Sequence, residues 1–129
     1  MIIAHLGGSI QCKNYEELKD VMMIRYGACL NTFILGLDDG RPYPCLNISV
    51  NNKYANIVYL PDDESAGSQS IGNGTDLKLN ESTNFCMGFV TELYECSNEY
   101  VVLFEQALKA ALEFFETSAR PTCINWFDL

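Results

Sequence analysis

The residues that could carry catalysis or bind metal are few and poorly spaced for either. His5 is the single histidine, and it stands in the apolar opening Met1-Ile2-Ile3-Ala4-His5-Leu6, which reads as a strand. No Ser-His or Cys-His arrangement can be assembled around it. Cysteines at 12, 29, 45, 86, 96 and 123 include no pair at metal-ligand spacing, so no metal site is expected. Cys45, Cys86 and Cys123 lie among apolar neighbours, where a thiol behaves as a small hydrophobe, and free thiols are the expectation. Ile71-Gly72-Asn73-Gly74-Thr75 has glycines but lacks the lysine and the strand-to-helix context of a phosphate loop. Asp62-Asp63-Glu64 is a contiguous run, which favours a solvated loop over paired acid and base, and the closing glutamate of a calcium loop is missing. These patterns predict a protein that is not an enzyme and needs no cofactor.

The carboxylates are more informative as a field than as chemistry. The chain of 129 residues has a formal net charge of -9. Residues 1–60 hold five cations and five carboxylates, whereas the remainder holds three cations and twelve carboxylates, so the whole excess lies in the second half. Such a surface repels phosphate backbones and anionic headgroups, which argues against nucleic-acid or membrane partners. It attracts a basic protein surface instead. The N-terminal apolar run lacks a basic lead and meets Gly7-Gly8 at once, unlike a signal peptide, so a cytoplasmic location is expected. The sequons at Asn47, Asn73 and Asn80 need secretion to matter and are read as chance.

The elements that must display this charge follow from periodicity. At 48% hydrophobic residues, the length suits one domain over 1–129. Asn14 is a good N-cap for a helix over Tyr15–Tyr26, with acids in its first turn and Gly27 past its end. The Met22-Met23 pair is assigned to the core. Thr32–Leu37, Cys45–Val50 and Tyr54–Leu60 read as a meander, and Asn51-Asn52-Lys53 suits a tight hairpin between the last two. Leu46, Ile48 and Val50 alternate with Asn47, Ser49 and Asn51, which predicts one sheet face open to solvent. From Pro61 to about Ser82 the polar composition predicts a long loop, or two loops around a poor strand, with a turn at Asn73-Gly74. Strand character returns at Asn84–Val90 and at Leu93-Tyr94. Val101, Phe104, Leu108, Ala111, Leu112 and Phe115 then form an apolar stripe on a helix over about 99–117, on which Ala107, Ala110 and Ala111 allow close approach to a sheet, and Thr122–Phe127 reads as a closing strand. The fold class is α+β: a mainly antiparallel sheet with an N-terminal helix and a long C-terminal amphipathic helix packed on one face.

The segment from Ala107 to Trp126 resembles the closing motif of immunity protein family one (Imm1-like) of bacterial polymorphic toxin systems. That motif is an alanine-rich helix with Glu-Phe near its end, then Thr-Gly-x-Arg-Pro and a hydrophobic strand ending in tryptophan. Glu113, Phe114, Thr117, Arg120, Pro121 and Trp126 match it in order and spacing. Ser118 stands where the family usually has glycine, and the apolar-proline lead into the helix is absent. The motif residues themselves are read as scaffold: Phe114, Phe115 and Trp126 pack the helix on the sheet, and Arg120-Pro121 shapes the turn. The resemblance implies a protein that neutralises a toxin, often a deaminase or nuclease, by tight binding over its active cleft. The expected contacts are the acids Asp62, Asp63, Glu64, Glu92 and Glu95, with Tyr59 and Tyr94 as aromatic anchors, set against a basic surface of the cognate toxin. The oligomeric state stays open. An acidic secretion chaperone is the alternative binding module. A cofactor-free enzyme would be marked by a carboxyl with a strongly raised pKa in a cleft.

Overall fold

Alternating apolar residues on the central strands give the sheet one deeply buried face, and both helices lie on it. A computed structural model describes residues 1–72 and 74–129. The chain runs through β1 (Ile2–His5), β2 (Gly8–Gln11), α1 (Tyr15–Met22), β3 (Leu30–Gly36), β4 (Cys45–Asn51), β5 (Tyr54–Leu60) and β6 (Ser68–Ile71). It continues through β7 (Ser82–Met87), β8 (Phe89–Ser97), β9 (Val102–Leu103), α2 (Phe104–Thr117) and β10 (Asn125–Asp128). The main sheet has the order β10-β6-β5-β4-β3-β1-β2, with β9 also paired to β5, while β7 and β8 form a separate antiparallel hairpin. Neighbouring strands are antiparallel throughout, as an α+β fold of this pattern requires.

The meander is as expected. Asn51 pairs with Tyr54, which leaves a two-residue turn, and Asn52 takes the positive φ of 56° that such a turn needs. Leu46, Ile48 and Val50 of β4 join Phe33, Leu35, Ala55 and Ile57 in the main core, beneath Leu18 and Met22 of α1 and Ala107, Ala110, Ala111 and Phe114 of α2. The innermost stripe of α2 is thus the expected alanines with Phe114, and the larger residues of the expected stripe lie beside it. Alanines face the sheet because they let the helix axis come close, and the larger Leu108, Leu112 and Phe115 pack at the flanks.

The polar face of the sheet is open to water only in part: Ile34 of β3 stays 44% exposed there, whereas the β4 and β5 side is covered. The β7–β8 hairpin lies across it, so Ser49 is 7% exposed and Asn56 4%. Polar residues there are partners for the hairpin: Thr32 Oγ1 donates to the Cys86 carbonyl at 2.6 Å, and Asn51 Nδ2 to the Asn84 carbonyl at 2.8 Å. Alternation alone cannot distinguish water from a second polar layer. Phe85, Cys96 and Val101 make a small second core beneath the hairpin.

Other boundaries shift for local reasons. Helix α1 has Asn14 as N-cap, accepting from Glu17 N at 3.0 Å, but it ends at Met22 and not at Tyr26. Arg25 Nη1 donates to the Met22 carbonyl at 2.6 Å, and Gly27 turns the chain back at φ 58°. Met22 is core, whereas Met23 is exposed. The helix expected from 99 begins at Phe104, because Val102-Leu103 pairs with Tyr54-Ala55 on β5. The poor strand in the long loop is β6, which joins β5 to β10, and Gly8–Gln11 forms a strand that periodicity did not single out. Gly72 has a packing role: a Cβ there would lie 2.0 Å from the Val101 carbonyl oxygen. Asn73, half of the expected Asn73-Gly74 turn, lies outside the described residues.

Candidate functional site

The closing motif builds structure. In the left-handed region at φ 54°, Ser118 ends α2, and its N–H bonds to the Phe114 carbonyl at 2.8 Å. The Glu113 carboxylate accepts from both the backbone N–H and the hydroxyl of Thr122, holding the chain as it leaves the helix. Arg120 Nη1 reaches Ser68 Oγ at 3.2 Å and Asp128 Oδ1 at 3.3 Å, and Trp126 Nε1 donates to the Pro121 carbonyl at 2.7 Å. Tyr59 is part of this assembly, its ring centroid 6.4 Å from those of Phe114 and Trp126. Burial raises its hydroxyl pKa.

The other expected anchor is also engaged within the fold. Tyr94 lies between β8 and the sheet, stacks at a tilt on Phe85 at 5.9 Å, and donates to Asn56 Oδ1 at 3.2 Å. Burial pushes its hydroxyl up to about 12. Both tyrosines sit where their rings support the scaffold, on opposite faces of the sheet. No exposure signal exists in sequence to separate such rings from surface ones, since their neighbours alternate similarly.

The expected acids fall into two groups. Asp62, Asp63 and Glu64 are exposed where β5 turns toward β6, and Asp62 Oδ1 accepts from Glu64 N at 2.9 Å and Ser65 N at 2.7 Å. Glu92 and Glu95 are exposed on β8. The remaining carboxylates of the second half are divided as well: Glu105, Glu113 and Glu116 ride on α2, across the sheet from the hairpin. The acidic excess is therefore not one flank. On the hairpin the excess has no cation near it in the chain: residues 79–108 contain no lysine, arginine or histidine, and the carboxylates of Glu81, Glu92, Glu95 and Glu99, like those of Asp62, Asp63 and Glu64, belong to none of the ion pairs among the described residues.

Exposed apolar residues concentrate on the same hairpin. Met87, Phe89, Val90 and Leu93 surround the turn at Gly88, which takes φ 69°. This cluster was missed in the sequence, where Asn84 through Val90 reads only as a strand.

A groove of about 540 Å³ elsewhere is lined by Met23, Arg25, Lys53, Phe104 and Glu105 among others. Its Arg25 guanidinium lies 4.6 Å from the Phe104 ring centroid, and Glu105 is the one carboxylate of the lining. It holds no acid and base pair. The displaced carboxyls are Asp39 and Asp76, both held below the usual range, Asp39 chiefly by the Arg41 backbone N–H and Asp76 chiefly by the Tyr54 hydroxyl. That is the direction of a stabilised anion, opposite to a general acid. Among the described residues, no group of three or more His, Cys, Asp or Glu side chains could hold a metal ion, and no helix is long and apolar enough to cross a membrane.

An antiparallel sheet carrying an alanine-faced helix, closed by the Glu113 to Trp126 assembly and bearing an uncompensated acidic hairpin, describes a binding scaffold. Residues 28–128 match the family model of Immunity protein Imm1, so the chain belongs to that family. The match runs from before β3 to the end of β10. A curated relative, the double-stranded DNA deaminase immunity protein of Burkholderia cenocepacia (strain H111), is 30% identical over 124 residues, covering 95% of this chain and 94% of the relative.

Proposed function

We propose that this protein neutralises a cognate toxin of the double-stranded DNA deaminase type by binding over its DNA cleft, without turnover of its own. The observation that carries this reading is the nearly full-length similarity to a deaminase immunity protein, joined to an exposed acidic hairpin with no cation of its own. A deaminase that takes duplex DNA must present a cationic groove to phosphates, and exposed carboxylates at suitable spacing compete for it. Asp62, Asp63, Glu64, Glu92 and Glu95 supply the attraction in this reading. Tyr59 and Tyr94 act behind the surface, Tyr94 by holding the hairpin in place. Residues 1–129 work as one unit in the cytoplasm, where an incoming or newly made toxin would meet the genome.

The test is a titration of the cognate toxin domain, with deamination of duplex DNA as readout. Loss of activity proportional to added protein, complete near equimolar amounts, is expected. Undiminished deamination at large excess would refute the reading.

A further inference from the structure

The tip of the β7–β8 hairpin has the composition of a binding hot spot. Phe89 is 66% exposed, Met87 53% and Leu93 51%, on a protein whose other large aromatics are mostly packed. Single exposed apolar residues are ordinary, but a cluster on one turn, rimmed by charge, marks an interaction surface. The rim is of one sign. Leu93 and Glu95, two apart on β8, share the side opposite Tyr94 and Cys96, and Glu92 lies between the apolar positions.

Resting on the reading above, we propose that this tip is the part of the protein that enters the toxin's cationic cleft, with Phe89 as the buried anchor and Glu92 and Glu95 meeting the basic walls. Charge complementarity selects the occupant: a negative rim around an apolar knob fits a protein cleft lined by lysine and arginine, with an apolar floor where an extruded base is otherwise received. The tip is also pre-ordered. Thr32 and Asn51 hold β7 by its backbone carbonyls and Tyr94 holds β8, so docking costs little ordering of the chain. Phe89 is free of those contacts, and its truncation leaves the scaffold intact.

The experiment uses the full chain and the cognate toxin domain in a surface-binding assay, with wild type, Phe89→Ala, Leu93→Ala and the pair Glu92→Gln, Glu95→Gln. The expected result is a dissociation constant at least about thirtyfold weaker for Phe89→Ala, expressed in the dissociation rate, with the thermal midpoint unchanged. The Glu pair should lower the association rate and its salt dependence. Wild-type binding retained in Phe89→Ala and Leu93→Ala would overturn this assignment and leave the immunity reading standing. No binding by wild type would overturn both. Sedimentation of the free chain tests a second copy as occupant: a dimer that Phe89→Ala converts to monomer would assign the tip to self-association and overturn the proposal.

Discussion

Tyr94 donates its hydroxyl hydrogen to the Asn56 side-chain oxygen at 3.2 Å, and this bond fastens β8 to β5 across the layer between hairpin and sheet. Asn56 is 4% exposed and its amide also donates to the Tyr100 carbonyl, so its oxygen has no ready substitute partner in water. Tyr94→Phe should therefore cost about 1–2 kcal/mol of stability, the penalty of one buried unsatisfied acceptor. Urea unfolding of the two proteins measures it. A change below a few tenths of a kcal/mol would show that water reaches Asn56.

The same burial makes the fold sensitive to alkali. Tyr94 is raised from 10.0 to about 12 and Cys96 from 9.0 to about 11, both chiefly by desolvation. The unfolded chain releases these protons first, so stability is complete below pH 9 and declines as pH rises toward 12. Denaturation midpoints followed across that range should fall, and the fall should be shallower in Tyr94→Phe combined with Cys96→Ala. An equal slope in both proteins would assign the alkaline loss to other groups.

Ser118 occupies a left-handed conformation at φ 54° at the end of α2, a position where an L side chain is strained and glycine is not. Ser118→Gly should stabilise by about 0.5–1 kcal/mol. Calorimetry checks the sign. A destabilised variant would mean that the serine side chain contributes a contact larger than the strain it bears.

The departure at Ser118 was legible because a motif with a fixed glycine implies a positive φ at that place, whatever surrounds it. The meander, the Asn14 cap and the alanine-faced helix were legible for a like reason: each is set by residues within a few positions. What escaped was the second polar layer. Asn47, Ser49 and Asn51 alternate with apolar neighbours whether water or Thr83–Cys96 lies above them, and only the chain path between β6 and β9 decides. For the same reason Tyr59 and Tyr94 could not be recognised as internal, and the exposed Phe89 could not be told from the buried Phe85 four residues earlier. Charge was legible as a total and not as a surface, since α2 and the hairpin place it on opposite faces.

The turn at 62–64 tests the electrostatic part of the account apart from the hairpin. Asp62 holds the turn through Glu64 N and Ser65 N, so reversal is best confined to Asp63→Lys with Glu64→Lys. Association with the toxin domain should slow several-fold at low salt, with a flatter dependence on ionic strength, while dissociation stays the same. Unchanged kinetics would remove this turn from the interface.

In the proposed complex, carboxylates and an apolar tip occupy the place on the toxin where duplex DNA lies. The most direct measurement is a competition in which the toxin domain, labelled DNA and this protein are mixed and the complexes resolved by sedimentation. Mutually exclusive binding, with DNA released in proportion to added protein, is predicted. A stable ternary complex of toxin, DNA and this protein would contradict the account.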